Sequence, residues 1–247
     1  GTYLAQQRRL IAAVKAAIES GELPIERVDD AVRRVLTLKA KYNLLSQSPH
    51  YQQIVGSAEN QQVELDVSRH AAAVLRNDDR LVPLSPAQPV VVVNTTHRAS
   101  YTPLGATRGI GPNQTTAAYD FFVEAMQRQY TQMRTVSAED VLAGKFTVND
   151  GETVVAVTEN FPLPGMDFDQ STQPEVIQRL LAAAPQRVVV VALRDPYELR
   201  YLPQVRNYLC AFSFRPSAAQ AAAEALSGAF QPQGKTPVSV PDTEVMA

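Results

Sequence analysis

The sequence predicts an α/β protein: a three-layer α/β/α sandwich with a mostly parallel sheet, preceded by two helices. Short, continuous β-branched runs such as PVVVVN at Pro89–Asn94 are typical of strands that are buried on both faces. These runs alternate with helical segments at a spacing that favours parallel strands. The first 45 residues instead show two amphipathic helical patterns and no strand signal.

The amino-terminal part of the chain is predicted to be helical. Leu4–Ile18 carries apolar residues at helical spacing. A second helix is expected from about Ile25 to Tyr42, with acidic residues near its start and lysines near its end, which suits the helix dipole. Two such helices cannot bury their apolar stripes against each other alone, so residues 1–45 need a neighbour. Polar residues and Pro49 predict a linker over residues 46–60.

Residues 61–247 are predicted to form the sandwich domain. A helix from about Ala58 to Val74 leads into it, followed by an extended segment at Leu75–Leu84. The predicted strands are Pro89–Asn94, Thr153–Thr158, Arg187–Leu193 and Tyr208–Phe214, with a further short one at Met133–Val136. The predicted helices between them are Thr115–Tyr130, Pro174–Ala184 and Ser217–Leu226.

Composition and charge exclude several classes of function. The formal charge is -2 and the basic residues are scattered, so we expect no nucleic-acid partner. No apolar run approaches the roughly 20 residues of a membrane helix, so we expect no membrane segment. Cys210 is the only cysteine, and His50, His70 and His97 show no ligand spacing. We therefore expect neither a metal nor a cofactor.

Candidate ligand-binding residues follow the predicted strands, because open α/β sheets bind ligands beyond the carboxyl ends of their strands. Glu159 directly follows the strand TVVAVT, and Asp167 lies in the same loop. Arg194 follows the strand RVVVVAL, and Arg108 lies in the long loop after the first strand. The glycines around Arg108 match neither a Walker motif nor the G-x-G-x-x-G order.

Each candidate also has a structural interpretation. Glu159 is expected to be a solvated loop carboxylate or a helix-cap partner if it has no role in a site. Asp167 precedes a predicted helix and fits a capping role. Arg194 fits a structural pairing with Asp195 or Glu198 or a contact with a neighbouring domain.

Four segments resemble family 3 of the glycoside hydrolases, and they occur in the family's order over nearly the whole chain. Ile25–Leu44 resembles the last helix of the family's barrel, and Ser68–Leu84 resembles the entry into its second domain. Leu226–Pro241, LSGAFQPQGKTPVSVP, is similar to the segment that closes the α/β sandwich. Val191–Val205, which contains ALRDPYEL, resembles the A–x–R–x–P–Y–D–L stretch of the N-acetylglucosaminidase branch.

The resemblance implies a bacterial retaining hydrolase that removes terminal β-linked N-acetylhexosamine. In that branch the nucleophilic Asp and the His–Asp acid/base lie on the barrel, upstream of the region matched here. The resemblance therefore implies no catalytic residue in this chain, inactivity of the chain alone, and two partners: a missing barrel domain and a carbohydrate substrate. Residues 1–45 would be a helical remnant of that barrel, and the start at Gly1 is interpreted as an excision point. An export signal would then lie upstream, so both the bacterial cytoplasm and export stay open.

The glucosidase branch of the same family carries its acid in a loop that resembles G–E–x–P–Y–A–E–x–x–G–D. The corresponding stretch here is Thr158–Gln170, in which Glu159 and Pro162 match the first Glu and Pro. The position of the acid falls at or near Gly165. This departure favours the N-acetylglucosaminidase branch.

The sequence allows two other classes of function as alternatives. One is a non-catalytic module that binds a carbohydrate or a partner protein. The other is an independent flavodoxin-like or response-regulator-like domain, which would need an acidic pocket or a flavin-phosphate loop after the first strand. Thr95, Thr96 and His97 at that place offer neither.

Overall fold

A computed structural model describes residues 2–46, 55–96, 116–159, 172–237 and 239. The chain divides into two compact units, residues 1–55 and 56–247. Within the described residues, none of the helices has both the length and the apolar character that a membrane span requires.

The first unit contains two helices, α1 at Thr2–Glu19 and α2 at Ile25–Lys41. Pro24 precedes α2 with an extended backbone, as expected for a residue outside the first helical turn. Both helices leave large apolar side chains exposed, and α2 has no buried residue. The exposed apolar side chains of the two helices include Leu4, Leu10, Ile11, Val14, Ile25, Val32, Val35, Leu36 and Leu38.

The second unit begins with helix α3 at Ala58–Ala71, which Ser57 caps by accepting a hydrogen bond from the backbone of Asn60. Strands and helices then alternate along the chain. The strands are β1 Ala73–Asn77, β2 Val90–Asn94, β3 Met133–Val136, β4 Thr153–Thr158, β5 Val188–Ala192 and β6 Asn207–Cys210. The helices are α4 Ala118–Gln129, α5 Ala138–Leu142, α6 Thr172–Ala183 and α7 Pro216–Ser227, with a 3₁₀ helix at Tyr197–Tyr201.

The six strands form one sheet in the order β1-β6-β5-β4-β2-β3. Among the described strands, β2 to β6 run parallel to one another, and β1 pairs antiparallel with β6. Helices cover both faces, so the predicted three-layer sandwich with a mostly parallel sheet is confirmed. The valine runs of β2, β4 and β5 are buried on both faces, as continuous β-branched runs predict.

Two apolar clusters form the core, one on each side of the sheet. On one face, side chains of α4 and α7 such as Phe122 and Leu226 pack on alternate strand residues such as Val155. On the other face, α5 and α6 pack on the remaining strand residues, with Ile177 of α6 among the buried side chains. Alternation of this kind follows from the twofold period of side chains along a strand.

Some elements differ from the predicted ones. Strand β6 ends at Cys210, earlier than the predicted strand over Tyr208–Phe214, because Phe212 has a φ of 55° and cannot continue an extended strand. The third helix ends at Ala71, and the chain enters β1 two residues later. Helix α5 and the 3₁₀ helix were not predicted, since both are too short to produce a periodic apolar pattern.

Candidate functional site

The strand order places a crevice at the carboxyl edge of the sheet. Strand β2 pairs with β3 on one side and β4 on the other, and the direction of winding reverses there. Ligands of open α/β sheets bind at such a reversal point. The residues that follow the two strands at this edge, Thr95, Thr96 and Glu159, are buried despite being polar.

Hydrogen bonds from helix α6 hold the backbone at this edge. Gln173, in the first turn of α6, accepts hydrogen bonds from the hydroxyl of Thr95 (3.3 Å) and from the backbone N–H of Glu159 (3.1 Å). The Thr95 hydroxyl also lies 2.7 Å from the carbonyl oxygen of Val157 in β4. A single amide side chain therefore joins the residues that follow β2 and β4, on the two sides of the crevice.

Glu159 is 4% exposed, so it is not the solvated carboxylate of its structural interpretation. Its position follows from the last pairing of the sheet, in which the N–H of Leu193 donates to the carbonyl oxygen of Thr158 at 3.0 Å. Glu159 directly follows Thr158 along the chain and Arg194 directly follows Leu193, so that pairing brings the two candidates close together. The structure therefore puts these two candidates side by side at adjacent strand ends.

Arg194 lies between aromatic and charged neighbours. Its guanidinium carbon is 5.1 Å from the centre of the Phe214 ring, and that of Arg215 is 5.5 Å from the same ring. Burial lowers the pKa of the Arg194 guanidinium, whereas the charges of Asp195 and Glu159 raise it. Both carboxylates thus influence the Arg194 guanidinium, and the pairing of Arg194 with Asp195 stays a prediction.

Glu198 belongs to this edge as well, although sequence reasoning considered it only as a partner for Arg194. It lies in the 3₁₀ helix, is 7% exposed, and accepts a hydrogen bond from the hydroxyl of Thr158. A signal for it was present in the sequence, since Glu198 occupies the Asp position of the A–x–R–x–P–Y–D–L pattern.

The other two candidates, Arg108 and Asp167, lie outside the described residues. Within the described ranges, no group of three or more His, Cys, Asp and Glu side chains is placed to hold a metal ion. The edge thus offers a guanidinium, a buried carboxyl and an aromatic ring, which are groups suited to hydrogen bonding and packing against a polar organic ligand.

A doubly wound, mostly parallel sheet with helices on both faces defines an α/β sandwich domain. The particular family follows from comparison with known proteins: the glycosyl hydrolase family 3 C-terminal domain matches residues 72–246, more than half of the chain. The chain belongs to this family. No curated protein matches it.

Solved structures share the fold over nearly the whole chain. One is a fungal multi-domain GH3 β-N-acetylglucosaminidase with a GCN5-related glucosamine N-acetyltransferase region (20% identity, TM-score 0.63, 98% of this chain and 26% of that one). A second is a family 3 β-N-acetylglucosaminidase from Paenibacillus sp. (23%, 0.62, 97% and 44%). A third is a β-glucosidase from Listeria innocua in complex with isofagomine (21%, 0.64, 93% and 34%). The chain therefore spans less than half the length of each of these structures.

Proposed function

We propose that this chain is the C-terminal domain of a retaining family 3 glycoside hydrolase that removes terminal β-linked N-acetylhexosamine. In this proposal the domain forms one wall of the sugar-binding site, and a barrel domain outside this chain carries the nucleophile and the acid/base. The observation that carries the proposal is the carboxyl edge itself, where Glu159 and the Arg194 of the ALRDPYEL segment lie together on a family 3 domain.

The choice of branch rests on sequence, because the solved structures include both β-N-acetylglucosaminidases and a β-glucosidase. In the stretch Thr158–Gln170, the position that carries the acidic Glu in the glucosidase pattern falls at or near Gly165, so the Glu is missing there. The ALRDPYEL segment is similar to the pattern of the N-acetylglucosaminidase branch. Both features favour an enzyme whose acid lies on the barrel.

The residues of this chain would bind and orient the sugar and would transfer no proton. Retaining hydrolysis needs a carboxylate nucleophile and an acid/base partner a few ångströms away, and in this proposal the barrel supplies both. The Arg194 guanidinium can donate to a sugar hydroxyl or to the acetamido carbonyl, while the Glu159 carboxylate can accept from a hydroxyl. Such contacts act through positioning, which is sensitive to displacements of about 1 Å.

The first test uses the isolated chain. We expect the 247-residue chain to show no turnover of an aryl N-acetyl-β-glucosaminide above background, because its nucleophile is supplied elsewhere. Turnover by the pure chain would contradict the proposal.

The second test uses the complete hydrolase that carries this chain. We expect turnover of the aryl N-acetyl-β-glucosaminide and little of the matching aryl β-glucoside. Arg194→Ala should raise KM about tenfold, which corresponds to the loss of one charge-assisted hydrogen bond. Arg200→Ala, on the same loop and exposed, is the matched control and should leave KM unchanged.

The alternative is a non-catalytic α/β module that binds a carbohydrate or a protein. It is favoured by the second unit having its own sheet and core. Saturable binding of an N-acetylglucosamine oligosaccharide by the isolated chain, together with no hydrolysis by the complete protein, would support the module over the hydrolase.

A further inference from the structure

A buried carboxyl group links the ends of two neighbouring strands at the carboxyl edge. Oε1 of Glu198 accepts the hydroxyl hydrogen bond of Thr158, the last residue of β4. Oε2 of the same carboxyl is buried and makes no hydrogen bond within the described part of the chain. Thr158 is itself 1% exposed. The hydroxyl of Thr158 is thus the well-defined partner of this buried carboxyl, and the Tyr208 hydroxyl lies close enough to influence its pKa.

The two residues joined by this hydrogen bond are neighbours of the two candidate sugar-binding residues. Thr158 directly precedes Glu159 along the chain. Glu198 follows Arg194 on the segment after β5, where it is the second residue of the 3₁₀ helix. The hydrogen bond therefore ties the segment that carries one candidate to the segment that carries the other. Within the described residues, the last backbone hydrogen bond between these two parts of the chain runs from Leu193 to Thr158, and the contact of Glu198 with Thr158 adds a side-chain link next to it.

We propose that Glu198 is a positioning residue, which through Thr158 sets the separation of Glu159 and Arg194 at the sugar site. The role in sugar binding rests on the function proposed above, whereas the role in ordering the two segments does not.

The surroundings of Glu198 favour its neutral form. The titratable groups of the described chain that face it are Asp195 on its own segment and Tyr208 and Cys210 on β6, and none of them is a cation. Burial raises the pKa of the Glu198 carboxyl to about 7. Hydrogen bonds from Thr158, from its own backbone N–H and from Tyr208 oppose this rise, and the charge of Asp195 adds to it. The same burial raises the pKa of Tyr208 well above its ordinary value, so the tyrosine stays neutral.

This environment makes the arrangement dependent on pH. In the unfolded chain the carboxyl would ionise near 4.5, so the folded protein holds its proton more tightly between pH 4.5 and 7. The stability that Glu198 contributes is therefore greatest at the acidic end of this window and decreases as the pH rises to about 7. Above that pH a buried carboxylate with no cation among the described groups that face it is unfavourable, and we expect the two segments to open locally more often.

Amide hydrogen exchange on the 247-residue chain tests the positioning role without any hydrolase activity. The observed peptides should end at Glu159 and should cover Arg194–Leu199, with rates corrected for the intrinsic effect of pH. In the wild type we expect protection of both peptides to fall about fivefold between pH 6 and pH 8.5. Glu198→Gln keeps an acceptor for Thr158 and cannot ionise, so its protection should be the same at both values.

Three substitutions of threonine separate this role from general packing. Thr158→Val removes the hydroxyl at nearly constant shape and should lower the protection of both peptides about fivefold at pH 6. Thr158→Ser restores the hydroxyl and should restore protection. Thr153→Val is the matched control, since Thr153 is buried at the opposite end of the same strand. Loss of protection in the peptide at Glu159 alone, or equal loss in the Thr153 control, would overturn the proposal.

Kinetics of the complete hydrolase test the second half of the proposal. Thr158→Val should raise KM about fivefold at pH 6 with kcat within twofold, since the residue orients groups that bind the sugar. Glu198→Gln should extend the range of constant kcat/KM to higher pH. Unchanged KM in Thr158→Val and an unchanged pH profile in Glu198→Gln would remove the link to sugar binding. Failure of the proposed function would be a different result: no turnover by the unsubstituted hydrolase, with the exchange results unaffected.

Discussion

The backbone of Gly234 lies directly against the carbonyl groups that follow helix α3. Its N–H donates to the carbonyl oxygen of Ala72 at 3.1 Å, and a Cβ atom at this position would lie 2.1 Å from the carbonyl oxygen of Ala71. A Cβ atom does not fit so close to the carbonyl oxygens of Ala71 and Ala72, which are backbone atoms and cannot rotate away as a side chain could. Gly234, the second glycine of the segment LSGAFQPQGKTP, is thus required because this segment approaches the start of the sandwich domain closely.

We expect Gly234→Ala to destabilise the second unit by about 3 kcal/mol or more, because the backbone of one of the two segments must move. For a domain of this size that corresponds to a fall in Tm of roughly 6–12 °C, measured by circular dichroism. Lys235→Ala, at the exposed neighbouring position, is the control and should leave Tm unchanged. A Tm for Gly234→Ala equal to that of the control would show that the two segments are not held together.

Sequence reasoning identified Glu159 and Arg194 as residues that follow strands, and the sheet topology brings them together because parallel strands end at one edge. It did not identify Glu198 as buried. The carboxyl of Glu198 is buried because it contacts Thr158 of β4 and Tyr208 of β6. These residues lie 40 and 10 residues away from Glu198 along the chain. Local patterns carry no information about such contacts.

At the level of secondary structure elements, the short strand β3 is held at the sheet edge by a side-chain pair as well as by its backbone. Arg134 of β3 forms two hydrogen bonds of 2.7 Å with Glu152, which precedes β4. Burial alone would raise the pKa of Glu152, but the hydrogen bonds from Arg134 and from the N–H of Asn149 outweigh burial and lower it. The pair therefore connects β3 to β4 across the intervening β2.

We expect Arg134→Ala to lower the free energy of unfolding by about 2 kcal/mol at pH 7, because it leaves a buried carboxylate without its cation. The loss stays below that of a fully buried pair since the Arg134 side chain is 37% exposed. A lowered folded pKa gives stability that is present above the unfolded pKa and is lost as the pH falls, so the difference from wild type should shrink below about pH 4. Urea denaturation at both pH values measures this.

Arg34→Ala is the control for that experiment, since Arg34 pairs with Asp30 on the exposed surface of α2. Its effect should stay below about 0.5 kcal/mol at either pH. An effect of Arg134→Ala no larger than this, or one that does not depend on pH, would contradict a stabilising role for the buried pair.

The strands with continuous valine runs were predictable because a strand that is buried on both faces has apolar residues at consecutive positions. The antiparallel pairing of β1 on β6 was not, since a strand's partner depends on the completed sheet rather than on its own residues. The early end of β6 was also missed. It depends on the positive φ of Phe212, and nothing in the residue type of a phenylalanine indicates that conformation.

At the level of the whole molecule, all residues of the two core clusters belong to the second unit. The first unit has exposed apolar stripes and, in α2, no buried residue. Helices in this state gain little from packing, and isolated helices of such length are only marginally stable in water. The two units should therefore differ greatly in stability when they are separated.

We expect a fragment of residues 56–247 to unfold cooperatively, with a Tm within about 3 °C of that of the full chain, because the core is complete within it. A peptide of residues 1–55 should show no cooperative transition and only weak helicity. Circular dichroism of the two pieces, with the full chain as reference, measures both. A fragment 56–247 without native β-sheet signal would contradict the independence of the second unit.

The pairing of β1 with β6 has a consequence for synthesis on the ribosome. Among the described strands of this sheet, β1 is made first, and its neighbour in the sheet, β6, is made last. At about 5–20 residues per second, β6 follows β1 by on the order of ten seconds. Throughout that interval the nascent chain presents an unpaired strand with the sequence AVLRN, whereas strands β2 to β5 can already pair with one another. The edge strand made first is thus the one that depends longest on its arginine and asparagine to avoid pairing with other chains.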